Sequence, residues 1–283
     1  MQIPAPAPVV VAVNGTAAGL AATRLGAREA VARGVPLRVL HAFAWPDRRS
    51  FDDPPDYATA RQEANQIVHE AVATATRSVP GVRVKGRVTD GDQVRVLVRY
   101  SRGATLLVLG DDGLLPGVRL PADAVPVQVV ARARCPVLIA RGTRPPAGPL
   151  LAAVDGSPSS LLALRLAARE AARRRVPLDA AHVVGDAEGI AAGHRLLDQA
   201  IHHLPGVRGQ VLVGDPAPTL IRASRGARML VLGPRGRDGG GLLGAVASEL
   251  LRRCACPTVF VHGTPAGDGP GDGTVPSVGA LIG

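Results

Sequence analysis

The sequence predicts an α/β protein built from two tandem, doubly wound domains, each with a five-stranded parallel sheet. Three observations carry that prediction. First, the chain is written twice. Residues 9–42, VVVAVNGTAAGLAATRLGAREAVARGVPLRVLHA, align without a gap on residues 150–183, LLAAVDGSPSSLLALRLAAREAARRRVPLDAAHV. Second, two later segments repeat in the same order: SRGATLLVLG (101–110) with SRGARMLVLG (224–233), and RCPVLIARGT (134–143) with ACPTVFVHGT (255–264). Third, short apolar runs alternate with helical periodicity through both copies, the pattern of linked βαβ units.

The second copy spells out the elements most clearly. LLAAV is a continuous apolar run, as expected of a strand buried on both faces. DGSPSS interrupts it, with Ser157 placed to cap a helix and Pro158 suited to the first turn. Leu161, Leu164, Ala168 and Ala171 then recur at spacings of three and four, one face of that helix. LDAAHVV, RGQVLV, MLVLG and CPTVFVH supply four more strands, with helices between them.

The copies differ in length. Asn14 and Asp155 lie 141 positions apart but Gly110 and Gly233 only 123, so the second copy is 18 residues shorter between its first and fourth strands. Most of the difference falls at FAWPDRRSFDDPPDYATARQE, a Pro/Asp-rich loop leading into a helix. Its counterpart, VVGDAEGIAAGHRLLDQAIHHL, goes almost directly into a shorter helix. The resulting division is a first domain at 1–143, a Pro/Gly linker at 144–149, a second domain at 150–264 and a disordered tail at 265–283. The apolar fifth strand of each copy would be an exposed edge on its own, so the copies are expected to pair as an intramolecular pseudo-dimer about a pseudo-twofold axis.

Composition narrows the partners. The net charge is +10, and Lys85 is the only lysine, so the positive charge is almost all arginine. The arginines are spread along helix faces and aromatics make up only 2% of residues, which argues against a nucleic-acid surface. Arginine in place of lysine, with abundant Ala and Gly, fits a GC-rich coding bias. No window of eighteen apolar residues suggests a membrane span, and the N-terminus lacks a basic signal segment, so a cytoplasmic protein is expected. Cys135, Cys254 and Cys256 suit core packing better than a disulfide framework or a zinc site.

The stretch that bears on function is LVLGPRGRDGGGLLGAVASELLRRCACP, residues 230–257: a strand, a glycine-rich loop and a helix ending at Cys-Pro. With VDGSPSS and the following helix ALRLAAREA, and GDP at 214–216 opening the third helix, it resembles the universal stress protein family in its tandem form. The resemblance runs to about His262. It implies a Rossmann-like fold and domain pairing along the fifth strand. It also implies ATP, or another adenine nucleotide, as ligand. ATP-binding members carry Gly-x2-Gly-x9-Gly-Ser/Thr, which brings backbone close to phosphate and sets a helix N-terminus against it. In the second copy Gly233, Gly236 and Gly244 match the three glycines, and Asp155 matches an acidic residue that hydrogen-bonds the nucleoside. Val183, Arg235, Ala245 and Val246 complete the implied cofactor-binding set. Two departures weaken the match: seven residues, not nine, separate Gly236 from Gly244, and Ala245 stands where a hydroxyl belongs.

The first copy departs further. Gly110 and Gly113 remain, but the third glycine is replaced by Asp123 and the strand-end acid by Asn14, and Pro116, Pro121 and Pro126 reshape the loop. A carboxylate at a helix N-terminus repels phosphate, so the first copy is expected not to bind. His41 and His182 occupy matching strand ends and are read as locally hydrogen-bonded. Asp198 and His202 share a helix face, but two residues do not make a metal site. No spacing identifies a catalytic residue, and slow ATP hydrolysis has no assignable base. The leading expectation is a stress-response protein that binds or senses adenine nucleotide in its second domain. The alternative is a nucleotide-independent scaffold. A homodimer and an unidentified client are the remaining partner expectations.

Overall fold

A computed structural model of the chain describes residues 6–45, 56–112, 114, 121–142, 147–236 and 241–262. The tail, part of the linker, the Pro/Asp-rich loop at 46–55, Gly113 and Arg237 lie outside the described residues.

The first half runs β1 (Val9–Ala12), α1 (Ala17–Arg33), β2 (Leu37–Phe43), α2 (Tyr57–Ser78), β3 (Val84–Asp90), α3 (Gln93–Ser101), β4 (Leu106–Leu109), α4 (Val125–Arg132) and β5 (Val137–Ile139). The second repeats it as β6 (Leu150–Ala153), α5 (Pro158–Arg174), β7 (Leu178–Val184), α6 (Ile190–Ile201), β8 (Val207–Val213), α7 (Pro216–Ser224), β9 (Met229–Leu232), α8 (Ala245–Arg253) and β10 (Thr258–Phe260). The local signals hold. The Ser157 hydroxyl accepts the Ser160 amide as an N-cap, and Pro158 follows it in the first turn. The three cysteines are buried.

Within each half the strands are parallel, as expected. The structure adds that the two sheets are continuous. Their order is β3-β2-β1-β4-β5-β10-β9-β6-β7-β8, ten strands in one sheet. The halves meet where β5 and β10 pair antiparallel, with Val137 opposite Phe260, Leu138 opposite Val259 and Ile139 opposite Thr258. All six residues are buried. Strands β3 and β8 are left at the two outer edges.

Two apolar layers enclose the sheet. One face carries α1, α2, α5 and α6 over Val9, Val11, Val39, Ala152 and Ala180. The other carries α3, α4, α7 and α8 over Val10, Leu107, Leu151 and Leu230. The fully buried strands β4 and β9 read LLVL and MLVL, apolar on both faces because helices cover both.

Across the pseudo-twofold axis α1 and α5 are joined by four charges. Glu29 and Arg33 of α1 correspond to Glu170 and Arg174 of α5, each 141 positions on. Arg33 bonds Glu170 at 2.8 Å, and Arg174 bonds Glu29 at 2.6 Å. Within the helices Arg174 also holds Glu170 at 3.0 Å, and Arg33 holds Glu29. The side chains of Glu29 and Glu170 are only 2% and 6% exposed. Burial opposes the charged form of Glu29, but Arg174 and Arg33 override it and hold the carboxyl below its ordinary range.

Removing one member leaves buried charge without its partner, which costs about 3–5 kcal/mol. Glu29→Gln is therefore expected to lower the thermal midpoint by several degrees, measurable by calorimetry. The sign of the pH effect follows from the lowered pKa. Stability from Glu29 is fully present above pH 4.5, its ordinary value, and is lost as the pH falls through the folded value. The acid limb of the stability curve should therefore be shallower in Glu29→Gln than in the parent.

Candidate functional site

The C-terminal ends of β6, β7 and β9 open onto a cleft of about 550 Å³. This is the usual ligand position on an open α/β sheet. Each strand end delivers something different. β6 ends at Val154 and Asp155, β7 at Val183, and β9 at the loop that begins with Gly233. All eight residues expected from the sequence line this one cleft: Asp155, Val183, Gly233, Arg235, Gly236, Gly244, Ala245 and Val246. Leu220 and Leu232 add apolar wall.

Asp155 is oriented by its neighbours. Its Oδ1 accepts the Ser157 amide at 2.9 Å and the Ser157 hydroxyl at 2.5 Å. Burial raises the cost of its charge, but these hydrogen bonds outweigh it and keep the carboxyl below the usual aspartate range. Its Oδ2 is directed toward Gly236, where an added Cβ would lie 2.8 Å away.

The structure adds a steric reason for two of the loop glycines. None of Gly233, Gly236 and Gly244 has a positive φ, so left-handed backbone is not why they are glycine. Gly233 sits against the start of α5. A Cβ there would be 2.5 Å from Ser159 Oγ and 3.0 Å from the Ser159 carbonyl carbon. The Ser159 hydroxyl donates to the Arg235 carbonyl at 2.5 Å, tying loop to helix. Gly236 leaves room for Asp155. At Gly244, with φ −65°, a Cβ would meet no protein atom closer than 3.5 Å, so the open space belongs to the cleft.

Gly244 is the N-cap of α8 and no side chain caps that helix. The first-turn residues Ala245, Val246 and Ala247 all line the cleft. Uncapped first-turn amides and the helix dipole favour an anion there. Arg235 is exposed beside them and has no acidic partner among the described residues.

The matching hollow of the first half is smaller, about 300 Å³. Its character is reversed by one residue that the sequence reading passed over. Asp112 stands where the second half has Arg235, 123 positions on. Its Oδ2 accepts the Asn14 amide at 3.3 Å and lies 2.6 Å from the Thr16 hydroxyl. The carboxylate lining the hollow is thus Asp112 rather than Asp123. Comparing the two loops position by position would have found it. Helix α4 also begins without a side-chain cap, and Pro126 in its first turn has no amide to offer.

His41 and His182 play the same local role in the two halves. Nδ1 of His41 lies 2.8 Å from the Val13 carbonyl, and Nδ1 of His182 lies 2.7 Å from the Val154 carbonyl. A carbonyl only accepts, so each ring donates there and latches the second strand to the first. Asp198 and His202 are exposed on α6 and its C-cap, and the His202 ring bonds the Gln199 carbonyl.

A family model confirms what the geometry shares with known proteins. The model described as the universal stress protein family matches residues 7–141 and again residues 147–262. The chain belongs to that family. Universal stress protein Rv2005c of Mycobacterium tuberculosis is 31% identical over 287 residues, covering 90% of this chain and 96% of that one. A universal stress protein of Mycolicibacterium smegmatis is 29% identical over 284 residues, with the same coverage of 90% and 96%. The crystal structure of a universal stress protein from Archaeoglobus fulgidus superposes with a TM-score of 0.71 at 17% identity, covering 90% and 97% of the two chains. That likeness extends the shared fold across both universal stress domains. Among the described residues no helix is long and apolar enough to cross a membrane.

The two loop glycines are expected to respond differently to an added methyl. Gly233→Ala forces a close approach to backbone and should destabilise the protein by about 1–3 kcal/mol. Gly236→Ala meets only the end of the Asp155 side chain, which can rotate, and should cost less than about 1 kcal/mol. Urea denaturation of both variants checks the order.

Proposed function

We propose that this universal stress protein binds one adenine nucleotide per chain, in the domain at 150–264, and acts in the stress response of the cytoplasm as a nucleotide sensor. The domain at 1–143 is its structural partner. The observation that carries this reading is the convergence of Asp155, the Gly233–Gly236 loop and the uncapped start of α8 on a single cleft.

The parts divide the ligand between them. Val183, Leu220 and Leu232 form apolar wall suited to a base, and Asp155 Oδ2 is free to accept from a nucleoside N–H or O–H. Phosphate goes to the α8 amides and Arg235. Among the described residues the cleft lining offers no second carboxylate beside Asp155, and the proposed role is binding. In the first half, Asp112 and Pro126 oppose the same ligand.

Titration calorimetry with ATP tests the proposal. One site per chain is expected, weakened at least tenfold by Arg235→Asp, which copies the first-half loop. Two equivalent sites would overturn the assignment, and no binding of ATP, ADP or AMP at millimolar concentration would leave a scaffold only.

Ala245→Ser restores the missing hydroxyl at the first turn of α8. A hydrogen bond to a charged group contributes about 1.5–3 kcal/mol, which corresponds to roughly tenfold to a hundredfold tighter ATP binding. The gain is expected for ATP and not for adenosine. Equal gains for both would mean that Ala245 does not face phosphate.

A further inference from the structure

A second hollow is larger than the cleft just described. It has a volume of about 770 Å³ and lies between α5 and α6, on the opposite face of the sheet. Its origin is the shortened second copy. In the first half α2 runs from Tyr57 to Ser78 and packs along α1, with Ile67 reaching within 3.1 Å of a Cβ placed on Gly15. In the second half α6 runs only from Ile190 to Ile201. It sits over the strands instead. Gly193 is pressed against His182 and Val184, and Leu197 lies over Gly209. Gly156, the counterpart of Gly15, then faces the hollow rather than a helix side chain.

The walls of this hollow have a definite chemistry. Leu161 of α5, with Leu196 and Leu204 on and just beyond α6, are half-buried and form an apolar side. Arg165 projects from α5 and Arg195 from α6. Neither arginine has a hydrogen bond or ion pair among the described residues. Among the described residues no acidic side chain lines the hollow. Asp186, Glu188 and Asp198 each adjoin a lining residue in sequence and are exposed; Asp186 accepts the Gly189 amide at 3.1 Å, and neither Glu188 nor Asp198 is within ion-pair distance of Arg165 or Arg195. Two unpaired guanidinium groups beside an apolar wall, in a volume typical of small-molecule sites, match an anion with an apolar body.

We infer that the hollow between α5 and α6 is a second ligand site, for a small organic anion whose apolar body lies on Leu161, Leu196 and Leu204 and whose charge meets Arg165 and Arg195. The site does not depend on the nucleotide cleft. The two share only the end of β7, where the His182 ring faces α6 and Val183 faces the other layer. A ligand here would load the same strand end that walls the base side of the cleft.

The probe is 1-anilinonaphthalene-8-sulfonate, a flat apolar anion whose fluorescence rises on burial. One site per chain is expected. Arg165→Ala/Arg195→Ala should weaken it at least tenfold, and Ala192→Trp, from an exposed position on the wall, should block it by filling the space. Asp155→Ala should leave it unchanged, as should saturating ATP. Because Arg165, Arg195 and Ala192 are exposed, the variants at these three positions are expected to fold. Absence of probe binding would overturn the inference, as would full affinity in the double arginine variant or in Ala192→Trp. Displacement by ATP, or loss in Asp155→Ala, would also overturn it by placing the probe in the nucleotide cleft. A failure of ATP to bind at all leaves this result standing or falling on its own arms.

Discussion

Three residue pairs between β5 and β10 organise the whole molecule. Neither half has a finished sheet by itself, because each ends in a short apolar strand with an open ladder edge. Pairing them antiparallel satisfies both edges at once and makes one ten-stranded sheet. It also sets α1 beside α5 at the distance where Glu29, Arg33, Glu170 and Arg174 close into a ring of alternating charge. The strands supply the attraction, and the ring sets the terms. Two buried carboxylates and two largely buried guanidinium groups tolerate little sliding, since each displaced group would lose a partner that burial makes costly to lose. Such a ring adds orientation more than net stability.

With the frame symmetric, the chemistry is free to differ. The two clefts share a loop that must be glycine where it crosses the helix below: Gly110 would meet the Ala18 backbone at 2.8 Å, as Gly233 would meet Ser159. That constraint is steric and holds in both halves whether or not a ligand binds. The differences lie one or two residues further on. Asp112 draws Asn14 and Thr16 into a closed polar cluster, whereas Arg235 stands open and Asp155 is held by Ser157 with one oxygen free. The sign of one loop side chain distinguishes the two hollows: a carboxylate lines one and a guanidinium the other.

Much of this was legible in the sequence, for identifiable reasons. The duplication, the strand runs and the Ser157 cap follow from local signals whose physics is short-range, whereas the eight residues expected at the cleft were implied by the family resemblance. The apolar fifth strand announced an edge in need of a partner. Other features were harder to see. Asp112 carried no motif and became visible only as the counterpart of Arg235. The charge ring reads as two ordinary helical pairs, AREAVAR and AREAARR, until the fold sets the helices side by side. The crowding at Gly233 and Gly236 depends on what lies across the loop, which the sequence does not show. The hollow beside α6 came from a deletion, and a deletion does not say whether the remaining helix will move over to fill the space.

The outer strands carry a consequence of their own. A ten-stranded sheet still has two free ladders, β3 and β8, and a sheet assembled by edge pairing is in principle able to keep growing. Here the ends are blunted. β3 reads VKGRVTD and β8 reads VRGQVLV, each with exposed charge or amide on either side of a glycine at the third position. Glycine inside both strands weakens them as templates, and adding another ladder would bring Lys85, Arg87 or Arg208 against the newcomer. The chain therefore spends its apolar edges on its own other half and turns charged ones outward, with Val213 of β8 the apolar exception. Charge on an outer ladder works against the open-ended sheet growth from which fibres are built.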